Sequence, residues 1–273
     1  IRIADNRNRI VKIQSVHSDP VNGAVICAEG RFGYQLLAKR TNRDNELAIQ
    51  KGRELLSQVA KVVILVSPKL LVEEAYAAAQ LAKKTGGGFF WVGGEGIHGA
   101  LKTGGKMRGE ANVALLGLLG AKEWKGEQAE LFVTVNLPKV PQKSASTRVI
   151  ALSSHGTQED VSVMVCIADS LETNGTFLNR DGDLCVVKGA LQSHGIPSGA
   201  HALMRLCGEN GPTELAPLRK ALAGEIKEMA VLTQLDGQRV VRTGMAPVLV
   251  AASPDSREAA FALHMKQMEL PWS

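Results

Sequence analysis

Long apolar runs are missing from this sequence. No stretch approaches the roughly 18–20 uninterrupted apolar residues that a membrane-crossing helix requires, so no membrane insertion is expected of the chain. Aromatic residues are scarce at 4%. Little is available to stack on bases, and the basic residues behind the net charge of +5 are spread widely, so nucleic acid is a poor partner. No C-x-x-C pair links any of the four cysteines, Cys27, Cys166, Cys185 and Cys207, which removes the usual zinc spacing. No G-x-S-x-G elbow is present for a serine hydrolase. No signal-peptide pattern is read in these residues, and the sparse cysteines suit a reducing cytoplasm.

What is present reads as an ordinary globular protein: 273 residues, 45% hydrophobic and 22% charged, enough for one large or two modest cores. Lys61-Val62-Val63-Ile64-Leu65-Val66-Ser67 is a continuous β-branched run, the pattern of a parallel strand buried on both faces. The segment from Glu73 to Lys84 has acids at its start, lysines at its end and alanines between, and predicts a helix. Phe89 to Val92 predicts the next strand, which makes a βαβ unit. A helix is expected from Glu46 to Val59, with Leu47, Ile49, Leu55, Leu56 and Val59 on its apolar face. Further strands are expected at Leu131–Val135, Arg148–Leu152, Val163–Ile167, Leu184–Val187 and Pro247–Val250, with the fourth of these completing the same sheet. Helices are expected at Ala111–Leu119, Ala200–Cys207, Glu214–Met229 and Arg257–Met268. The fold class is therefore α/β, a mostly parallel sheet flanked by helices.

Several segments carry chemistry in principle. Gly94-Glu95-Gly96-Ile97-His98-Gly99 fits G-x-G-x-x-G, but it follows the second clear strand. Only a weak helix is expected after it, from Ala100 to Arg108, so a plain connecting loop is the better reading. His17, His98, His155, His194, His201 and His264 have no Cys or His at ligand spacing. Glu73-Glu74 and Glu159-Asp160 read as helix-start acids, and Met265 and Met268 as core. Cys166 and Cys185 sit in apolar strands and Cys207 in a helix, all three as small hydrophobes. Residues 1 to 16 alternate around Asp5-Asn6-Arg7-Asn8 as a hairpin, basic through Arg2, Arg7, Arg9 and Lys12, which suits docking on an acidic partner subunit. Cys27 differs from the other cysteines. It lies in a loop flanked by Gly23, Gly30 and Gly33, where a backbone could wrap a cluster and a thiolate could ligate iron.

The run Asp19-Pro20-Val21-Asn22, then Cys27-Ala28-Glu29-Gly30-Arg31-Phe32-Gly33-Tyr34, resembles the end of the iron–sulfur segment of the molybdopterin oxidoreductase superfamily. It is most similar to the large G-type subunit of complex I-like NADH dehydrogenases. Val66-Ser67-Pro68 with Glu73-Glu74-Ala75-Tyr76, the Asn112–Gly120 segment, Glu172 to Gly182, and Pro197-Ser198-Gly199-Ala200 resemble further motifs of that superfamily, in its order, over roughly residues 1 to 230. The resemblance implies one 4Fe-4S cluster with Cys27 as its closing metal ligand, the remaining ligands lying before Ile1, outside this sequence. Three parts follow: residues 1–44 as the iron–sulfur-type hairpin and loop, 45–230 as the α/β body, and 231–273 as a C-terminal extension.

One departure bears on function. Superfamily enzymes carry Cys-x-Lys-Gly where this chain has Cys27-Ala28-Glu29-Gly30, and an acid there would repel the phosphates of the pterin. The resemblance then implies no molybdopterin and no catalytic residue of the chain's own. It implies an electron-transfer and structural subunit whose partners are other subunits of a cytoplasmic, peripheral NADH dehydrogenase-type complex. A minimal formate dehydrogenase-like molybdopterin subunit and a redox-inactive scaffold are the alternatives.

Overall fold

The structure, a computed structural model, describes residues 2–7, 9–14, 45–92, 102–103, 106–108, 112–137, 139–154, 160–179, 182–208, 214–235, 240–243 and 249–251. In chain order the strands are β1 (Arg2–Asn6), β2 (Arg9–Gln14), β3 (Val62–Val66), β4 (Gly88–Trp91), β5 (Lys102–Thr103), β6 (Lys106–Arg108), β7 (Lys122–Glu123), β8 (Leu131–Val135), β9 (Arg148–Ser153), β10 (Val163–Cys166), β11 (Gly175–Leu178), β12 (Asp183–Val187), β13 (Val240–Arg242) and β14 (Leu249–Ala251). The helices are α1 (Asn45–Ser57), α2 (Val72–Thr85), α3 (Val113–Leu118), α4 (Gly199–Leu206) and α5 (Leu215–Glu225), followed by a 3-10 helix at Lys227–Gln234.

Six strands form one parallel sheet in the order β10-β9-β8-β3-β4-β7. The continuous β-branched runs explain it. Every residue of β3 and of β8 is buried, because both faces of those strands are covered. Side chains alternate across the sheet and feed two separate apolar clusters. Val62, Ile64, Val66, Val133 and Ile150 pack with Ile49 of α1, Leu81 of α2, Leu203 and Leu206 of α4, and Leu218 and Leu222 of α5. Val63, Leu65, Phe132, Val149, Ala151 and Met164 pack on the opposite side with Ala129 and Leu137. The molecule is thus α/β, a parallel sheet flanked by helices, with the β1–β2 hairpin as a small addition. Among the described residues no helix is long and apolar enough to cross a membrane.

The order of strands fixes where a site could form. From β3 the chain runs through α2 to β4 and then β7 on one side, and returns to β8, β9 and β10 on the other. The direction of winding therefore switches between β3 and β8, and the carboxyl ends of those strands border the crevice where open α/β sheets bind ligands.

Several expectations change. Asp183–Val187 does not complete the parallel sheet; it pairs antiparallel with β11 and β13 in a separate three-stranded sheet. A short apolar strand fits either sheet, and its partners are chosen by contacts remote in sequence. Ala100 to Arg108 contains no helix among its described residues. Strands β5 and β6 pair antiparallel on either side of Gly104-Gly105, a composition that weakens a helix. Leu47 is exposed, while Ile49 carries the buried face of α1. Cys166 and Cys185 are half-buried and only Cys207 is a core residue, since Cys166 lies on the edge strand and Cys185 in the smaller sheet. The helix expected from Glu214 to Met229 ends at Glu225 and gives way to the 3-10 turn.

Candidate functional site

Strand β3 delivers the chain into Ser67-Pro68-Lys69-Leu70-Leu71 and then into α2, whose amino terminus sits at the switch point. Pro68 ends the strand by removing a ladder donor. The Ser67 N–H extends the pairing by one step, donating to the Val135 carbonyl at 3.1 Å, and the Ser67 hydroxyl accepts from the Lys69 N–H at 3.1 Å. A helix amino terminus exposes unpaired N–H groups and a partial positive charge, which is why phosphates bind there. In this protein two of the chain's own carboxylates hold that position.

Glu74 is the third helical residue of α2 and is buried. Its Oε2 accepts the Leu71 N–H at 3.0 Å, which is one half of a capping box; Leu71 has no side-chain oxygen with which to make the other half. The Gly199 N–H, at the start of α4, also donates to this carboxylate. Burial pushes the Glu74 carboxyl up to about 7, against the two backbone donors that favour its charge; the neighbouring Glu73 and Asp169 carboxylates add to the rise. Glycine at 199 is needed for this approach, because a Cβ there would collide with Oε1 of Glu74.

Glu73 is buried as well and points to other elements. Its Oε1 accepts from the Thr176 hydroxyl at 2.6 Å and from Arg219 Nε at 2.7 Å, while Oε2 accepts the Thr176 N–H at 2.9 Å. One carboxylate thereby joins α2 to β11 and α5. Asn112 completes the cluster from the residue before α3, in a left-handed conformation (φ 59°) that asparagine tolerates. Its side-chain amide donates to the Pro68 carbonyl at 3.2 Å and to the Leu70 carbonyl, and its Oδ1 accepts the Leu178 N–H at 3.2 Å. The far side of the switch point is closed by Asn136, whose Oδ1 accepts from the Ser154 N–H at 3.2 Å and the Ser154 hydroxyl at 3.3 Å.

This arrangement tethers loops and helices and sets two buried carboxylates at the amino terminus of α2, Glu74 on the Leu71 N–H and Glu73 on Thr176 and Arg219. A phosphate brought there would have to compete with them. Glu74 can hold or release a proton near neutral pH. With a relative exposure of 3%, it would do so without a solvent-borne substrate beside it.

Of the residues singled out in the sequence, Glu73 and Glu74 meet here with Asn112, Thr176 and Gly199 from the segments that carry the resemblance. Cys27, Glu29, Gly23, Gly30 and Gly33 lie outside the described residues, as do Gly94, Gly96, Gly99, Glu159, Met265, Met268 and the histidines 17, 98, 155 and 264. After the G-x-G-x-x-G segment the chain enters the β5–β6 hairpin, not the helix that a dinucleotide loop requires. His194 is in a turn and His201 in α4. Burial, then the nearby Arg205 guanidinium, lowers the affinity of His201 for a proton. Burial and the Asp183 carboxylate push the Cys185 thiol above its ordinary value, so it is a poor thiolate. Among the described residues no three His, Cys, Asp or Glu side chains converge to hold a metal, so these residues offer an iron–sulfur cluster no ligand set.

Glu73 and Glu74 were expected as helix-start acids and do open α2; their burial and their bonds across the fold go beyond that reading. A signal was present: α2 is apolar nearly all round, from Val72 through Ala75, Tyr76, Ala77, Ala78 and Ala79, and such a helix is buried on every side, acids included. Asn112 and Thr176 gave no comparable local signal. No family model matches the chain, and no curated protein matches it.

Proposed function

We propose that this chain is the α/β body of an electron-transfer subunit in a multi-subunit, complex I-like NADH dehydrogenase, and that it has no active site of its own. The observation that carries this reading is the occupied switch point. The fold's usual ligand crevice is spanned by Glu73, Glu74 and Asn112 bonded to Thr176, Arg219, Leu71 and Leu178, which supports a load-carrying body in place of a phosphate-binding enzyme. The order of motifs resembling those of the molybdopterin oxidoreductase superfamily suggests the assembly. Cys27 would be the point at which one 4Fe-4S cluster touches the chain, with the other thiolates supplied from elsewhere, and a cluster there would carry single electrons. The body would cover the cluster edge, exclude water and dock the neighbouring subunits on the cytoplasmic side of the membrane. Glu29 beside Cys27 argues against a bound pterin.

The test is metal and pterin analysis of the native full-length protein, with and without Cys27→Ser. Iron without molybdenum or tungsten, and loss of one cluster's low-temperature EPR signal in the folded variant, is the expected result. Stoichiometric molybdenum or tungsten, or a pterin fluorescence signal, would establish the formate dehydrogenase-like alternative. Absence of iron from the native protein would reduce the chain to a redox-inactive scaffold.

A further inference from the structure

The β1–β2 hairpin is two-faced. Its register pairs Arg2 with Gln14, Ile3 with Ile13, Ala4 with Lys12, Asp5 with Ile10 and Asn6 with Arg9, with an irregularity between Ala4 and Asp5 that leaves Val11 unpaired. Strand alternation therefore places Ile3, Ile10 and Ile13 on one face and Arg2, Arg9 and Lys12 on the other. Burial follows the same division. Ile13 is buried and Ile3 and Ile10 are half-buried, whereas Arg2, Arg9, Lys12 and the turn residue Arg7 are all exposed. Among the described residues no carboxylate pairs with any of these four cations. Among those residues β1 and β2 pair only with each other, and the outer edge of each has no strand partner.

We propose that the basic face and a free edge of this hairpin together dock an acidic, extended segment of a partner protein, which adds to it as a strand. Backbone pairing would supply the attachment, and carboxylates alternating along the segment would meet Arg2, Arg9 and Lys12. A second copy of this chain is disfavoured, because its hairpin would bring the same positive charge to the edge. Nucleic acid would find charge here but no aromatic side chain between residues 2 and 14 on which to stack a base. A membrane surface would find one exposed large apolar residue, Val11, where an inserting element presents a whole apolar face. The surface is remote in sequence from the switch-point cluster, and the inference does not rest on the function proposed above.

The full chain would be titrated with a synthetic peptide alternating Glu and Val, with the same peptide N-methylated at alternate amides, with poly-dT and with phosphatidylserine vesicles. Saturable binding of the Glu peptide that weakens with salt, and weakens at least about tenfold in the Arg2→Glu/Arg9→Glu/Lys12→Glu variant, is expected. The N-methylated peptide should bind more weakly than its parent. Circular dichroism checks the fold of the variant, and the neutralised Arg2→Gln/Arg9→Gln/Lys12→Gln protein gives a second reading of the same loss. No binding of the Glu peptide, binding by both variants undiminished from wild type, or equal affinity for poly-dT or vesicles would overturn the assignment. Undiminished binding of the N-methylated peptide would overturn strand addition.

Discussion

At its first turn α2 places Glu73 and Glu74 inside the protein, whereas towards its last turn it receives Glu225 from α5 at the surface. Glu225 accepts from the Tyr76 hydroxyl at 2.7 Å, from Gln80 at 3.2 Å and from Lys83 at 2.7 Å. Glu73 also has three donors: the Thr176 N–H, the Thr176 hydroxyl and Arg219. The inventories are alike, and the surroundings are not. Lys83 and Glu225 side chains are 56% and 42% exposed, so water can replace each partner and salt screens the pair. The Glu73 side chain is 1% exposed, and nothing replaces a lost partner there. The same helix thus has one end whose polar contacts are dispensable and one whose contacts are obligatory.

The sharpest way to break this comparison is Glu73→Ala. It strands the Arg219 guanidinium and both Thr176 groups, and a loss of about 3–5 kcal/mol is expected in urea unfolding. A loss below about 1 kcal/mol would place Glu73 in the same category as Glu225.

The pH dependence of stability tests the other buried acid. Because the Glu74 carboxyl is raised to about 7 in the folded protein, the native state holds a proton that the unfolded chain releases near 4.5. The stability it contributes is complete below that lower value and is lost as pH rises through 7, a fall of about 3 kcal/mol. Glu46, Glu127, Glu130 and Glu225 are shifted down, by hydrogen bonds first, and their contributions are lost only at lower pH. His201, lowered by burial, opposes the Glu74 slope near neutrality, so the difference between wild type and Glu74→Gln isolates the carboxyl. An unchanged slope in Glu74→Gln would remove Glu74 as its source.

A smaller effect is expected from Gly199→Ala. The added methyl lands on Oε1 of Glu74 and forces α2 and α4 apart at their amino ends, costing about 1–3 kcal/mol. Pairing it with Glu74→Ala should recover part of that loss, because the colliding atom is gone; strict additivity would mean the collision is relieved elsewhere. The smallest change belongs to Glu225→Ala. With the Glu225 and Lys83 side chains themselves open to water, it should cost less than about 1 kcal/mol, and the cost should shrink in high salt. A loss matching that of Glu73→Ala would erase the distinction between the two ends of the helix.

Much of the fold was legible. The run from Val62 to Val66 admitted only a strand covered on both faces, and the acid-to-lysine gradient from Glu73 to Lys84 marked the direction and both ends of α2. Gly86, past the last turn, adopts the left-handed conformation of a helix stop (φ 61°). The candidate site was less legible. The sequence pointed to Cys27 through a resemblance, and that loop lies outside the described residues. It showed Glu73 and Glu74 as capping acids, because an acid in a first turn looks the same whether water or protein lies beyond it.

The sequence alone determined the main strands and helices of the parallel-sheet core and that two-sided burial makes the sheet parallel, because periodicity and β-branching act within a few residues. Only the tertiary structure decided that Asp183–Val187 leaves that sheet, that Asn112 reaches Leu178, and that Glu73 meets Thr176 across 103 residues of chain. Those choices depend on which donors the folded chain brings to a buried acceptor, and a buried carboxylate takes whichever partners remove the cost of its lost water.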